Sequence, residues 1–420
     1  MAIICGTDLS HASGAALEVA RALAGLRRER ELVLVHVADA EVDTAHTRAA
    51  LDATVARIRP AGQGETPLAI RIEMVVGDPQ TALTSFAETE GADLIVIGAA
   101  GSSSKKGSTS LGSTAAKIIA MTRTPVLIVR DPKPWLEFVA KSRPLKVLAS
   151  VDDSIASELT LQWTHGLRTM GAVEVVLGAI YYPDDAAAFY GVHAKTLVDR
   201  DPEIEALLER DLVKRFGTTE GVVARTRRGL GRIGDHVLEL ANEESVDVIV
   251  IGTSQKTGLD RLGSVSELVV TEATQSVVCV PPGAMLPTFV LPAMRSALVA
   301  TDLSPFANRA VAYAFASLPE GGEIHIAHVV EQDAEIDEAD TMRTLLAQAP
   351  VNGRALAIHA YVVRGQDAAA AIAQTAARLG VDFIVLASHG RSGITRALMG
   401  SVADRLLRAT RKPVLVLRPG

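Results

Sequence analysis

Asp8, Asp152 and Asp302 each end an apolar run: Ile3-Ile4-Cys5-Gly6-Thr7, Val147-Leu148-Ala149-Ser150-Val151 and Leu298-Val299-Ala300-Thr301 respectively. A carboxylate there can accept from a sugar hydroxyl or a base amine. It can also cap the serine-containing helix start that follows, as in Asp8-Leu9-Ser10 and Asp302-Leu303-Ser304-Pro305, and the two roles can coexist. Roughly 90 residues after each aspartate, a second apolar run enters a loop of small residues closing on Gly-Ser. The landmarks are Gly98, Gly101 and Gly112-Ser113, then Gly252 and Gly263-Ser264, then Ala387, Gly390 and Gly400-Ser401. In the third stretch Ser388 follows the strand, and a helix begins near Ser401-Val402. That arrangement suits phosphate: glycine lets the backbone approach an anion, unpaired N–H groups and the helix dipole face it, and Ser401 adds a hydroxyl. His389, Arg391 and Arg396 in this loop, like Lys105 and Lys106 in the first, either meet terminal phosphates or stay solvated.

The elements that must position these groups are strands alternating with helices. Apolar residues recur at helical spacing in Ala16, Val19, Ala20 and Leu23, and in Val311, Ala314, Phe315 and Leu318. The strands, such as Leu32-Val33-Leu34-Val35-His36-Val37, are continuous apolar runs, as expected when helices cover both sheet faces. The fold expected is α/β, a doubly wound parallel sheet that binds ligands at the carboxyl ends of its strands. The aspartates are 144 and 150 residues apart, one domain length each, so three tandem domains are expected. They span 1–132, 145–282 and 296–420, with Pro-rich linkers at 133–144 and 283–295. Trp135, Phe138 and Phe289 are expected to pin the linkers onto a domain. An extra stretch in the middle domain, with Tyr181-Tyr182-Pro183, Phe189-Tyr190, His193 and a charged helix from Glu203 to Lys214, is expected to cap its own domain, with a partner surface as the alternative.

With 48% hydrophobic and 4% aromatic residues, the cores are built from Ala, Val, Ile and Leu. A formal net charge of −7 gives no general drive toward nucleic acid or anionic lipid. No apolar run reaches the ~18 residues that cross a bilayer, and the first strand begins at residue 2 or 3, leaving no room for a signal peptide, so a cytoplasmic protein is expected. Cys5 and Cys279 fall in apolar strands of different domains and are expected to pack rather than pair. The Gly229-Leu230-Gly231-Arg232-Ile233-Gly234 stretch matches a dinucleotide fingerprint, but it follows the third strand of its unit, so it reads as a shared strand-to-helix turn. Asp152-Asp153 and Asp235-His236 have no diagnostic metal spacing. No Walker A loop, Ser-His-Asp or Cys-His arrangement is legible, and no catalytic residue is assigned.

Copy by copy, the loops resemble those of the universal stress protein family, whose ATP-binding members read Gly, two residues, Gly, nine residues, Gly-Ser. The third copy has the nine-residue gap from Gly390 to Gly400, with Ala387 for the first glycine. The first keeps Gly98, Gly101, Gly112 and Ser113 around a ten-residue gap, and the middle copy has Gln255 for the second glycine and only seven residues before Gly263. The resemblance implies three Rossmann-like, adenine nucleotide alpha-hydrolase-like domains. It implies ATP, with Mg2+, in the third domain around Thr301, Asp302, Val329, Ser388, Gly390, Gly400, Ser401 and Val402. A first-domain site at Asp8, Val37, Gly98, Gly101, Gly112 and Ser113 stands beside it. The role implied is a nucleotide-responsive regulator or stress-tolerance factor with an unknown protein partner. The alternatives are a slow ATPase or nucleotidyl-transfer enzyme, and an interaction scaffold without nucleotide. Family domains pair through their last strands, so three copies leave one edge free and a homodimer is expected.

Overall fold

The computed structural model describes residues 2–38, 44–58, 68–101, 111–193, 200–253, 263–284, 294–350, 355–388 and 401–418. The first repeat runs β1 (Ala2–Thr7), α1 (His11–Leu26), β2 (Glu31–Ala38), α2 (Thr44–Arg57), β3 (Ala69–Val76), α3 (Pro79–Thr89), β4 (Ala92–Gly98), α4 (Ser113–Met121) and β5 (Val126–Val129). Then α5 (Lys133–Val139) leads into β6 (Leu145–Ser150), α6 (Ile155–Arg168) and β7 (Val173–Tyr181). Two helices, α7 (Pro183–Tyr190) and α8 (Pro202–Phe216), precede β8 (Val222–Arg228), α9 (Ile233–Glu243), β9 (Val248–Gly252), α10 (Ser264–Glu272) and β10 (Ser276–Val280). The third repeat is β11 (Ser296–Ala300), α11 (Pro305–Ser317), β12 (Glu323–Val330), α12 (Glu338–Leu346), β13 (Ala357–Arg364), α13 (Ala368–Leu379), β14 (Phe383–Ala387), α14 (Ser401–Ala409) and β15 (Val414–Leu417).

The described chain divides into two units, Met1–Ile180 with Thr218–Leu291, and Tyr181–Gly217 with Pro292–Gly420. The first holds a ten-stranded sheet in the order β3-β2-β1-β4-β5-β10-β9-β6-β7-β8. Each repeat's own strands pair in parallel. The last strands of the two repeats meet antiparallel, with Leu127 opposite Val278. Arg130 fastens this seam through its backbone N–H to Ser276 Oγ at 3.2 Å and its guanidinium to the Val270 carbonyl at 2.6 Å. The second unit holds a five-stranded parallel sheet, β13-β12-β11-β14-β15.

Consecutive residues of β11 feed two separate cores. Ala297 and Val299 pack with Val311, Phe315 and Leu345, whereas Leu298 and Ala300 pack with Ile372, Ala376 and Leu406. Helices therefore cover both sheet faces, which is why the strands are apolar without alternation. Each buried Val, Leu, Ile or Phe side chain among them contributes about 1.5–3 kcal/mol.

The Pro-rich stretch after β5 is helical at α5 and buries Trp135 and Phe138, the pinning expected of them; Phe289 lies outside the described residues. The extra segment corrects an expectation. Instead of capping its own repeat, α7 and α8 belong with the third. Gln374 donates to the Ala188 carbonyl at 3.2 Å, and Arg210 donates to the Ala377 and Arg378 carbonyls at 2.7 and 2.6 Å. The C-terminal carbonyls of α13 carry its negative dipole end, and beside the cap bond from the Gly380 N–H to Ala377 a cation from α8 meets two of them. Among the described residues no helix is long and apolar enough to cross a membrane.

Candidate functional site

At the end of β1 the backbone makes a sharp elbow. Thr7 Oγ accepts from the Leu9 N–H at 3.1 Å, and Asp8 Oδ1 accepts from the Ser10 N–H at 3.0 Å. Ser10, not Asp8, caps α1 by accepting from the Ser13 N–H. The third repeat reproduces this at Thr301, Leu303, Asp302 and Ser304, both distances being 3.0 Å, with Ser304 capping α11. The N-cap role considered for the aspartates thus passes to the serines, and each aspartate shapes the turn before its helix. Leu9 and Leu303 both have φ of 63°, a left-handed conformation that a leucine adopts only under constraint.

The middle repeat builds the corner differently because Val151 replaces the threonine. Asp152 Oδ1 still accepts from the Ser154 N–H at 2.8 Å, but with no threonine hydroxyl Ser157 donates to the same oxygen at 2.5 Å and accepts from the Asp152 N–H at 2.8 Å, drawing the carboxylate onto α6. In the first repeat the corresponding Ser13 Oγ accepts instead from Thr7 Oγ at 3.0 Å. The only left-handed residues other than glycine among those described are Leu9, Arg28, Lys141, Ser245 and Leu303, so Asp153 does not share the strain.

Across the first-repeat crevice, a methyl group added at Gly101 would lie 3.1 Å from Asp8 Oδ2, so the carboxylate sits directly over this glycine. Gly112 returns to the same place, its N–H donating to the Ala99 carbonyl at 2.9 Å. It starts α4 with no side-chain cap, and Ser113 is exposed at the helix start. Asp8, Gly101, Gly112 and Ser113 therefore converge at one strand-end crevice. Gly98 serves packing: a methyl group there would sit 2.7 Å from the Ala12 carbonyl carbon. Val37 and Val329 are partly buried against core clusters at the ends of β2 and β12. Ser388 is buried, donating from its N–H to the Leu417 carbonyl at 2.8 Å, and Ser401 and Val402 open α14. Gly390 and Gly400, with His389, Arg391 and Arg396, lie outside the described residues, as do Lys105, Lys106 and Gln255.

Two histidines at the elbows escaped the sequence reading. His36 Nδ1 is 2.9 Å from the Thr7 carbonyl, and His328 Nδ1 is 2.8 Å from the Thr301 carbonyl. A carbonyl only accepts, so Nδ1 carries the proton in both. The available signal was their shared place, one residue before Val37 and Val329. The glycine-rich turn at Gly229–Gly234 places no ligand group: His236 Nε2 lies 3.0 Å from the Leu230 N–H, and Arg232 pairs with Asp235 at 3.0 Å. Among the described residues no group of three His, Cys, Asp or Glu side chains gathers as a metal site.

The family model for universal stress proteins matches residues 1–130, 145–281 and 294–418. A universal stress protein of Mycobacterium tuberculosis is 29% identical over 202 residues, 43% of this chain and 64% of its own length. The chain thus spans just under two thirds of that relative. A functionally unknown protein of Pseudomonas aeruginosa PAO1 shares the fold, with a TM-score of 0.50 and 16% identity over 67% of this chain and 92% of that one. A universal stress protein solved in complex with cAMP is 27% identical, covers 31% of this chain and 96% of its own, and has a TM-score of 0.24. With matches to the family in all three repeats, the chain belongs to the universal stress protein family.

Proposed function

We propose that this chain is a cytoplasmic ATP-binding regulator with nucleotide sites in its first and third repeats, and that it acts through a protein partner. The observation that carries the reading is the threonine-held, left-handed elbow at Asp8 and Asp302; Asp152 keeps the turn to the Ser154 N–H but lacks the threonine and the left-handed residue, and its carboxylate is also held by Ser157. A carboxylate facing the crevice recognises a ribose hydroxyl or the adenine amine. The N–H groups opening α4, where glycine supplies no competing cap, suit the phosphates, whose Mg2+ would travel with the nucleotide. In the third repeat the same part falls to Ser401, Val402 and the Gly390 to Gly400 loop. Recognition rather than turnover is the chemistry assigned. The middle repeat, its aspartate tied to Ser157, serves as the sheet partner of the first.

A homodimer is part of this proposal. Leu127 and Val278 are fully buried where β5 meets β10, while Leu415, at the corresponding place on β15, is 39% exposed. In the second unit β15 is an outer strand. A second copy pairing there antiparallel would bury Leu415 as the first two repeats bury theirs.

The test is calorimetry of MgATP on the intact chain, after its retained nucleotide has been assayed and removed, beside Asp8→Ala, Asp302→Ala and the double variant. Two sites are expected, each single variant losing one. A folded, nucleotide-free chain that takes up no ATP sinks the reading and favours the scaffold. Preferential uptake of cAMP would retain the site and change its ligand.

A further inference from the structure

We propose that His36 and His328 are positioning residues of the two nucleotide sites, acting through the carbonyl that precedes each aspartate; the inference rests on the nucleotide reading above. Thr7 is the last residue of β1 and pairs in register with His36 on β2. Beyond it the chain leaves the ladder, and the Thr7 carbonyl is met by the imidazole, at 2.9 Å. That bond fixes the Thr7-Asp8 peptide plane, and the plane sets the direction in which the Asp8 side chain leaves the backbone. The Thr7 hydroxyl holds the other side of the corner through the Leu9 N–H. Imidazole and hydroxyl together clamp a turn that holds Leu9 at a φ of 63°. The third repeat repeats every part: His328 to the Thr301 carbonyl at 2.8 Å, Thr301 Oγ to the Leu303 N–H at 3.0 Å, and Leu303 at 63°.

The middle repeat supplies the internal control. The pairing of Ser150 with Gly178 places Ala179 where His36 and His328 stand. There the histidine, the threonine and the left-handed residue are all missing, and the aspartate is bound to its helix. This is also the repeat whose loop departs furthest from the nucleotide-binding spacing. Clamp and loop are kept together in two repeats and lost together in one, which ties the imidazole to the ligand site rather than to sheet stability, since all three repeats keep the sheet.

The experiment measures MgATP affinity on the full chain for the double variants His36→Ala with His328→Ala and His36→Asn with His328→Asn. An asparagine amide reaches the Nδ1 position and still donates to the carbonyl, so it separates positioning from bulk. The alanine pair is expected to weaken binding about five- to tenfold per site, the equivalent of one ordinary hydrogen bond. The asparagine pair is expected to stay within about twofold of the parent on the same scale. Should the alanine pair fold poorly, glutamine at both positions, whose amide reaches the Nε2 place instead, provides the same contrast. Equal affinity in parent and alanine chains, or asparagine failing as badly as alanine in a folded chain, overturns the inference while leaving the nucleotide sites standing. A parent chain that binds no nucleotide removes both.

Discussion

Gly98 and Gly101 stand three residues apart and are glycine for different reasons. At Gly98 an added methyl group meets the backbone of Ala12 at 2.7 Å, and at Gly252 it meets Ala156 at the same distance, so both let a helix lie close to the sheet. Ala387 holds this position in the third repeat. Gly98→Ala is accordingly expected to cost about 1–3 kcal/mol in urea denaturation, because a backbone cannot yield as a side chain does. At Gly101 an added methyl group would lie 3.1 Å from Asp8 Oδ2, and Gly101→Ala is expected to lower MgATP affinity while leaving the unfolding midpoint nearly unchanged. The thiols of Cys5 and Cys279, fully buried in their strands, are pushed far up by burial, so neither should react with iodoacetamide until the chain unfolds.

Among elements, α8 matters most to the second unit. Lys214 donates to Ser296 Oγ and pairs with Asp382, each at 2.9 Å, and it also donates to the Gly380 carbonyl. The Asp382 side chain is largely shielded from water and that of Lys214 half-buried, and Lys214→Met is expected to destabilise this unit by about 1–2 kcal/mol. Acid should loosen the same region. His325 is buried, stacks on His359 at 5.0 Å between centroids, and lies near Glu323, Tyr361 and Lys214. Burial first, then His359, holds its pKa below the ordinary value. Burial alone would raise the Asp382 pKa, but the Lys214 ammonium and the Arg295 and Ser296 donors outweigh it and hold it down. For both groups folding disfavours the protonated form, so stability is present at high pH. It falls first as pH drops below about 6.5, where an unfolded histidine charges, and again below about 4 as aspartate protonates. Denaturation from pH 8 to 4 should show the first fall in the parent and a smaller one in His325→Phe; identical curves would exclude His325.

For the whole molecule, the decisive quantity is the number of last-strand edges. Two of the three are joined at the seam of β5 and β10, and the third carries a partly exposed Leu415. Light scattering at micromolar concentration is expected to give twice the chain mass, and Leu415→Lys to return it to one chain by placing a charge in the pairing strand. A parent measured as a single chain would leave β15 without the partner proposed for it.

Sequence alone determined what depends on local pattern and spacing: three repeats, alternating strands and helices, and aspartates and Gly-Ser loops at strand ends. Apolar periodicity and glycine placement act over a few residues, so they can be read without knowing what packs where. Tertiary structure alone decided which side chains meet across elements. It gave α7 and α8 to the third repeat, because Arg210 and Lys214 match carbonyls and a carboxylate more than 160 residues away in sequence. It joined β5 to β10, turned Asp152 onto Ser157 once Val151 had removed a hydroxyl, and brought His36 and His328 to the carbonyls before the aspartates. Such contacts join residues through the register of neighbouring strands and the approach of helices, and no spacing along a single chain encodes them by itself.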